Sequence, residues 1–391
     1  MPWKETEAVK ERHLMIADYL RGEYTLTELS QEYGVSRKTL YKWIGRYQEM
    51  GFEGLNERSR RPLSVRQTPE ALLDMLVAVK KSHPSWGPGK VVKWLNEASN
   101  EVKWPAASTA GEWFRKLGLV KPRRRRVRVP SYNQPFSGCE RPNDVWSADF
   151  KGQFKLGNGK YCYPLTMSDN CSRYLLSCRG LYRPDYESCR SWQEWVFREY
   201  GLPLAIRTDN GSPFAGRGCG GLSRLSVWWI RLGIVPERIE RGCPQQNGRH
   251  ERIHRTLKAE ATQAAKRNLH EQQTEFERFI REYNEERPHE ALGGRTPASV
   301  YKPSERRYPR RLPRVEYASD ALLRSVRHSG EIRYDGDLYF VSELLSGERI
   351  ELRATADGKY RLLYGFYPLG ILDLRSRRIE QIGRASCRER V

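Results

Sequence analysis

The sequence predicts a multidomain chain in which an all-α segment, an α/β segment and a small all-β segment follow one another. Apolar residues recur with the 3.6-residue period of helices through the N-terminal third. From about Asp144, segments with the alternating polar and apolar residues of strands are interspersed with amphipathic helical segments, which is typical of an α/β core. After about Tyr308, five short stretches of strand-forming residues are separated by turns, and this pattern predicts a small β-barrel.

The chain is strongly basic. Its 391 residues include 69 Lys and Arg against 48 Asp and Glu, a net charge of +21. This excess indicates a polyanionic partner, most commonly nucleic acid, and the alternative is a ribosome-associated or merely soluble basic protein. The eight cysteines show no Cys-x-x-Cys spacing, and neither a signal peptide nor an apolar run of membrane-spanning length is evident. We therefore expect a cytoplasmic protein without a membrane partner.

Residues 1–60 carry the pattern of a helix-turn-helix. The stretch "TLTELSQEYGVSRKTLYKWIGRY" contains two amphipathic helical patterns joined at Gly34, which suits a left-handed turn, and Ser36 can cap the second helix. The alternative is a plain helical hairpin with a solvated basic face. The expected DNA contacts on the second helix are Arg37, Lys38, Thr39, Lys42 and Arg46.

Two further basic segments follow. Residues 61–122 predict a second helix-turn-helix, whose last helix has Ser108 or Thr109 near a capped start and Gly118 at its end. Ser108 and Thr109 are also the expected DNA contacts of this helix. Residues 123–140 form a Pro- and Arg-rich arm, suited to a phosphate backbone or a minor groove, or to a solvated linker. The arm's expected DNA contacts are Arg123, Arg124, Arg125 and Arg126.

Three carboxylates of the α/β segment form a candidate metal site. Asp149 lies within a predicted strand, Asp209 ends another strand before Asn-Gly, and Glu251 lies near the start of a helix. Three converging carboxylates would repel one another unless a divalent cation lay among them. Two Mg²⁺ ions, with Mn²⁺ able to replace them, would stabilise the attacking and leaving oxygens of a phosphoryl transfer. The candidates for supporting this site are Asn210, Asn247, His250 and His254.

The same helix also offers a competing interpretation. The run His-Glu-x-x-His, from His250 to His254, is the spacing with which zinc metalloproteases hold their metal, with Glu251 as general base. The long metzincin form of this motif would need a glycine at Leu257 and a histidine at Glu260, and no Asn-Glu-x-x-x-Glu follows to supply a glutamate ligand. Arg255 and Lys258 lie near the face of Glu251 and suit a scissile phosphate. The two histidines are then expected to contact DNA, to support Glu251 or to pack in the core.

Four motifs together resemble the integrase-core transposases of bacterial insertion sequences, which are relatives of retroviral integrases: "WSADF", "TDNGSPF", "PQQNGRHERIHRTLK" and "YNEERPHEALGGRTP". The resemblance implies an RNase H-like core over residues 141–305 with an Asp-Asp-Glu triad of Asp149, Asp209 and Glu251. It also implies a small β-barrel domain over residues 306–381.

The spacing within the implied triad departs from the usual pattern. The 41 residues between Asp209 and Glu251 exceed the spacing often found in this superfamily. We place the extra residues in the glycine-rich "AGRGCGGLS", expected to be a flexible loop near the site. Glu240 would shorten the gap but precedes the Pro-Gln loop. Asp144 and Asp169 are interpreted as a surface acid and a turn residue.

The implied function is that of a transposase. It would bind the terminal inverted repeats of its insertion sequence and catalyse DNA end cleavage and strand transfer into target DNA. Because two double-stranded DNA ends must be brought together, we expect a homo-oligomer, at least a dimer, associated with the bacterial nucleoid. The alternatives are a DNA-binding regulator without activity and a structure-specific nuclease.

The end of the chain has a separate interpretation. Residues 382–391, "IGRASCRERV", read like the translation of a sequencing adapter, whereas the alternative is an ordinary basic tail. We expect them to be a non-native tail whose deletion leaves activity unchanged.

Overall fold

The computed structural model describes residues 8–57, 68–120, 139–216, 218–240, 244–356 and 358–380. The chain divides into two compact units, Met1–Thr68 and Pro69–Val391. The expected DNA contacts of the basic arm, Arg123 to Arg126, and the expected non-native tail lie outside the described residues. Among the described helices, none has the length and hydropathy that crossing a bilayer requires.

The first unit is a three-helix bundle of α1 (Ala8–Arg21), α2 (Leu26–Glu32) and α3 (Arg37–Met50). Gly34 has φ +60°, the left-handed turn that the sequence predicts between α2 and α3. The Ser36 side chain caps α3 by accepting a hydrogen bond from the Thr39 amide. The helices enclose a small apolar core: Met15, Ile16, Leu29, Val35, Leu40, Trp43, Ile44 and Leu55.

The second unit begins with three more helices, α4 (Glu70–Ser82), α5 (Pro88–Ala98) and α6 (Ala107–Lys116). Their apolar faces form one cluster: Leu76, Trp86, Val91, Leu95, Trp104, Ala110 and Phe114. The expected capping of the last helix by Ser108 or Thr109 is wrong. The N-cap of α6 is Ala106, which has no side-chain cap, so both hydroxyl residues lie inside the first turn.

A six-stranded mixed sheet forms the centre of the second unit. Its strands are β1 (Val145–Phe150), β2 (Phe154–Lys155), β3 (Tyr161–Asp169), β4 (Leu175–Leu181), β5 (Ala205–Thr208) and β6 (Val235–Arg238). The order is β2-β3-β1-β5-β6, with β4 also pairing with β3. β1 is antiparallel to β3 but parallel to β5, so the ends of β1 and β5 meet at one edge of the sheet.

Helices cover both faces of this sheet. On one face, α7 (Tyr186–Tyr200) and α8 (Arg224–Arg231) pack against apolar side chains of β1, β3 and β5. On the other, α9 (Gly248–Leu257) and α10 (Leu269–Arg281) pack against β3 and β4. Each of these two helices continues into a π-helical turn, at Lys258–Thr262 and Glu282–Glu286. The layering is that of the α/β core that the sequence predicts.

The C-terminal region is built of short strands, as expected. They are β7 (Leu323–Ser325), β8 (Glu331–Tyr334), β9 (Asp337–Phe340), β10 (Arg349–Ala356), β11 (Lys359–Tyr364), β12 (Tyr367–Asp373) and β13 (Arg378–Glu380). Five of them form a sheet of order β13-β12-β11-β10-β7, and β8 pairs with β9 in a separate hairpin. Both described sheets are open, so the predicted closure into a barrel is not confirmed.

The glycine-rich stretch between β5 and α8 is held by hydrogen bonds and apolar contacts, whereas the sequence predicts a flexible loop there. The Arg238 guanidinium donates a hydrogen bond of 2.6 Å to the Gly221 carbonyl. The Tyr367 hydroxyl of β12 donates to the Gly220 carbonyl at 2.9 Å. Leu222 is buried in the apolar cluster of the C-terminal sheets. The stretch therefore joins the α/β core to the C-terminal region.

Candidate carboxylate site of the α/β core

The three candidate carboxylates come from three elements that meet at one edge of the sheet. Asp149 lies near the end of β1, and Asp209 directly follows β5. The last registered pair of these parallel strands is Ser147 with Arg207, so the two aspartates occupy equivalent positions two residues further on. Glu251 lies in the first turn of α9 and is exposed.

The charges of the other two carboxylates act on Asp149. The pKa of Asp149 is raised to about 7, first by burial, then by the charge of Asp209, with a further contribution from Glu251. The Asp209 carboxylate is oriented by the Gly211 amide, which donates to its Oδ1 at 3.0 Å. Such an arrangement is suited to divalent cations.

The two histidines of α9 lie beneath this site and are buried. His250 Nε2 and His254 Nε2 each lie 2.7 Å from Thr166 Oγ1 on β3, and His250 Nδ1 lies 2.9 Å from Ser168 Oγ. Burial lowers the pKa of His250 to about 3 and that of His254 to about 2, so both rings are neutral at pH 7. The hydrogen bonds of both rings to hydroxyl groups of β3 are those of the core-packing role among the roles that the sequence allows.

The arrangement does not suit a zinc protease. Both ring nitrogens of His250 are engaged by hydroxyl groups of β3, and the residue is 0% exposed. A zinc ion held by the two histidines of His-Glu-x-x-His needs one free nitrogen from each ring. The pair on α9 cannot supply them without breaking buried hydrogen bonds.

The other candidate residues divide into those at the site and those elsewhere. Asn247 Nδ2 donates a long hydrogen bond of 3.4 Å to Asp149 Oδ2. Asn210 Nδ2 instead donates to the Ile239 carbonyl at 2.9 Å, which ties the loop after β5 to the end of β6. Asp169, interpreted from the sequence as a turn residue, is instead the buried last residue of β3, and its carboxylate accepts hydrogen bonds from Asn143 and Ser172.

Basic side chains lie on the open surfaces of the helices. Arg255 and Lys258 are exposed one and two turns after Glu251. On α3, Arg37, Lys38 and Lys42 are exposed. Three of the remaining expected contacts are less accessible, since Arg46 stacks on Trp43 and both Thr39 and Thr109 are half-buried. Ser108 on α6 is exposed.

Sequence reasoning missed Thr166 and Ser168, which are 0% and 2% exposed and hold the two histidines. Their signal is weak but present, since two hydroxyl residues interrupt the apolar strand "YCYPLTMSD". Buried hydroxyls need partners, yet the sequence does not say which residues those are.

Models of known protein families match the N-terminal helical segment and the α/β core separately. Residues 140–244 and 232–297 match two family models, each described as an integrase core domain. Residues 11–62 match a helix-turn-helix domain and residues 39–114 a homeodomain-like domain. The expected helix-turn-helix region and RNase H-like integrase core are thereby confirmed. The chain is a protein with DNA-binding domains followed by an integrase core domain.

Its curated relatives include proteins of insertion elements. The chain is 28% identical over 193 residues to the uncharacterized 31.7 kDa protein of insertion element IS407 from Burkholderia multivorans, covering 47% of this chain and 65% of the relative. It is 29% identical over 189 residues to the uncharacterized 39.2 kDa protein of IS476 from Xanthomonas euvesicatoria, covering 46% of this chain and 50% of the relative. The chain therefore spans between half and two-thirds of the length of these relatives.

Among solved structures, the magnesium-bound catalytic core domain of HTLV-2 integrase is similar, with a TM-score of 0.33 at 16% identity over 41% of this chain and 98% of that chain. The chain thus contains an integrase core domain and is similar to proteins of insertion elements.

Proposed function

We propose that the chain binds the terminal inverted repeats of an insertion sequence and catalyses the cleavage and strand transfer of its DNA ends. The observation that carries this proposal is the grouping of Asp149, Asp209 and Glu251 at one edge of the sheet, with the charges of the latter two raising the pKa of Asp149. A phosphoryl transferase needs such a group of carboxylates, whereas a DNA-binding regulator does not.

The donor set fits divalent metal ions. Carboxylate oxygens are the hard ligands that Mg²⁺ and Mn²⁺ prefer, and three of them at one place are stable only with compensating positive charge. We propose two ions per site. When bound, such ions activate the attacking oxygen and stabilise the leaving oxygen of an in-line displacement at phosphorus.

The chain's own residues have distinct roles in this proposal. Asp149 and Asp209, on parallel neighbouring strands, hold the ions from within the sheet, and Glu251 completes the set from the exposed first turn of α9. Asn247 orients Asp149 through its hydrogen bond to Oδ2. Arg255 and Lys258 hold the DNA phosphates beside the site, since both are exposed on the helix that carries Glu251.

The helical modules supply recognition of the DNA ends. Exposed Arg37, Lys38 and Lys42 on α3 suit phosphates and base edges, and the arm of Arg123–Arg126 would add sequence-independent contacts. Joining two transposon ends to a target requires at least a dimer. We propose that this assembly works at the bacterial nucleoid, with residues 1–60, 61–122, 141–305 and 306–381 as its structural domains.

We also propose that the C-terminal sheets act as one barrel-like domain. The hairpin β8–β9 contacts both edge strands of the five-stranded sheet, β13 through β9 and β7 through β8. The Arg377 guanidinium, in the turn before β13, lies 3.5 Å from Asp337 of β9. β7 and β8 are joined by a short connection and lie in contact.

Substitution of the three carboxylates tests the proposed function. Glu251→Gln, Asp209→Asn and Asp149→Asn should each abolish cutting and joining of DNA ends while binding survives, because an amide keeps the shape but loses the charge that holds the metal. Exposed Glu240→Gln is the matched control and should stay active. The substrate is DNA carrying the element's own ends, with Mg²⁺ or Mn²⁺ added.

Other outcomes would point to other functions. Specific binding by a wild-type chain that never cuts would indicate a regulator, and cutting without joining would indicate a nuclease. A zinc protease would require His250 and His254, contain one zinc per chain and have little need for Asp209.

A further inference from the structure

The histidine pair of α9 has one ring nitrogen that the proposed carboxylate site leaves unused. His254 Nδ1 lies 3.9 Å from Asp149 Oδ2, and the side chains of both residues are mostly buried. His250, His254 and Asp149 place ligand atoms within 4.8 Å of one another, the spacing of a metal-binding group. Hydrogen bonding decides which of these atoms are available.

The Thr166 hydroxyl fixes the orientation of both rings. It lies 3.1 Å from the Asp149 backbone carbonyl, which can only accept, and we assign the single hydroxyl hydrogen to this bond. With this assignment, the two Nε2 atoms at 2.7 Å are both N–H donors to the hydroxyl oxygen. His250 Nδ1 accepts from Ser168 Oγ at 2.9 Å, so His250 has no nitrogen left for a metal.

His254 is different because its Nδ1 keeps a lone pair. A neutral imidazole with hydrogen on Nε2 has an acceptor at Nδ1, and this acceptor lies beside Asp149 Oδ2, another acceptor when the carboxyl is ionised. Two lone pairs at this distance favour a cation between them. Two ligand atoms each about 2.1 Å from one ion lie at most about 4.2 Å apart, so the observed 3.9 Å requires little movement.

We infer that His254 Nδ1 is a nitrogen ligand of the cation that Asp149 holds. This inference rests on the proposed metal-dependent function. The site then has mixed oxygen and nitrogen ligands, with the Nε2–H···Oγ1 bond to Thr166 orienting the ring as outer partners of metal-bound histidines do. Imidazole favours transition metals over Mg²⁺ and Ca²⁺, so His254 shifts the site's preference towards Mn²⁺.

Pulsed electron paramagnetic resonance of Mn²⁺ tests this ligand directly. Mn²⁺ alone is added to the metal-free full-length chain, and coupling of the electron spin to a ¹⁴N nucleus is expected. Labelling the histidines with ¹⁵N should convert this coupling to the ¹⁵N pattern, which requires no substitution and so does not depend on a variant folding. Absence of nitrogen coupling in the wild-type chain would overturn the inference.

Variants identify which histidine is involved. His254→Asn should lose the nitrogen coupling and bind Mn²⁺ about tenfold or more weakly, with a smaller loss for Mg²⁺. Its amide can still donate to Thr166, which favours folding, and circular dichroism checks this. His270→Asn, at an exposed position of α10, is the matched control and should keep both properties. Nitrogen coupling that persists in folded His254→Asn, or equal losses for both metals, would contradict the inference.

The DNA assay separates this inference from the proposed function. Cleavage that depends on Asp209, in a chain whose Mn²⁺ shows no nitrogen coupling, would overturn the ligand and leave the transposase function intact. Nitrogen coupling from His254 in a chain that never cuts DNA would support the ligand and overturn the function.

Discussion

A single hydroxyl, that of Thr166, connects β3 to β1 and to both histidines of α9. Its removal would leave two imidazole N–H groups buried without acceptors, each costing about 1–3 kcal/mol. Thr166→Val should therefore lower the free energy of unfolding by about 2–5 kcal/mol in urea denaturation. Thr166→Ser keeps the hydroxyl and should cost much less. Equal losses for the two variants would show that the methyl packing, and not the hydroxyl, stabilises the strand.

The raised pKa of Asp149 predicts a dependence of stability on pH. The folded-state pKa of about 7 lies above the ordinary value of 3.8, so the folded chain binds the proton more tightly than the unfolded chain. The stabilisation from this residue is therefore present at acid pH and is lost as pH rises from about 4 to about 7. The cause is burial first, then repulsion by Asp209 and Glu251.

Asp149→Asn should remove this dependence. In the metal-free chain the variant should be more stable than wild type by on the order of 3–4 kcal/mol at pH 8, with little difference at pH 4. Urea denaturation at the two pH values measures this, with the exposed Asp320→Asn as control. Excess Mg²⁺ should reduce the gain, because it compensates the charge in the wild-type site. A gain of the same size at both pH values would contradict the assignment.

Among the secondary-structure elements, α3 is the helix expected to read DNA. Replacing Arg37 or Lys38 with Ala should flatten the log–log salt dependence of binding by about 0.9 for each phosphate that the protein no longer neutralises. If a side chain instead reaches a base edge, the loss should be about 1–3 kcal/mol and confined to one position of the site. Fluorescence anisotropy at several salt concentrations measures both. Arg21→Ala on α1 is the control, and an equal effect there would indicate only a general charge contribution.

One guanidinium makes several of the hydrogen bonds between the core and the segment after the last core helix. Arg306 donates hydrogen bonds to the carbonyls of Pro203, Leu232 and Gly233. Arg306→Gln cannot reach all three, and we expect thermal unfolding to begin at a lower temperature, with a loss of about 2–4 kcal/mol. The neighbouring Arg307→Gln is exposed and should have no measurable effect. If both variants melt like wild type, the segment does not depend on these bonds.

Across the molecule as a whole, the two helical modules differ in their attachment. The first forms its own unit with its own core. The second contacts the α/β core, since His83 lies 2.7 Å from Glu282, and Arg287 bonds to both Glu260 at 2.7 Å and Ser85 at 3.4 Å. We therefore expect the first module to fold independently and the second to be less stable without the core.

Fragments test this difference. Residues 1–68 should show a cooperative helical melt and bind the element's ends with a shallower salt dependence than residues 1–122. Footprinting of the longer fragment should protect a longer stretch of DNA, because it adds α6. Identical footprints would mean that the second module is not a DNA-reading element and serves the core instead.

Local signals in the chain predict the order of the helical, α/β and β segments, the left-handed turn at Gly34 and the strand and helix ends on which the three carboxylates lie. These signals are hydrophobic periodicity, a glycine in a left-handed turn, and short motifs at strand and helix ends. The capping of α6 is misjudged from the same kind of signal. Several small polar residues lie near the predicted start of this helix, and each could act as its N-cap. The backbone instead begins the helix directly after Ala106, which has no capping side chain.

The surroundings of Asp149 depend instead on the packing of distant elements. Register across β1 and β3 brings Thr166 opposite Asp149, and packing of α9 on β3 turns both histidines towards that hydroxyl. No local pattern contains these contacts, because residues 149, 166 and 254 are distant in the chain and meet only through sheet pairing. The role of the His-Glu-x-x-His run is therefore open in the sequence, and the engagement of both His250 ring nitrogens by hydroxyl groups of β3 distinguishes it from a zinc site.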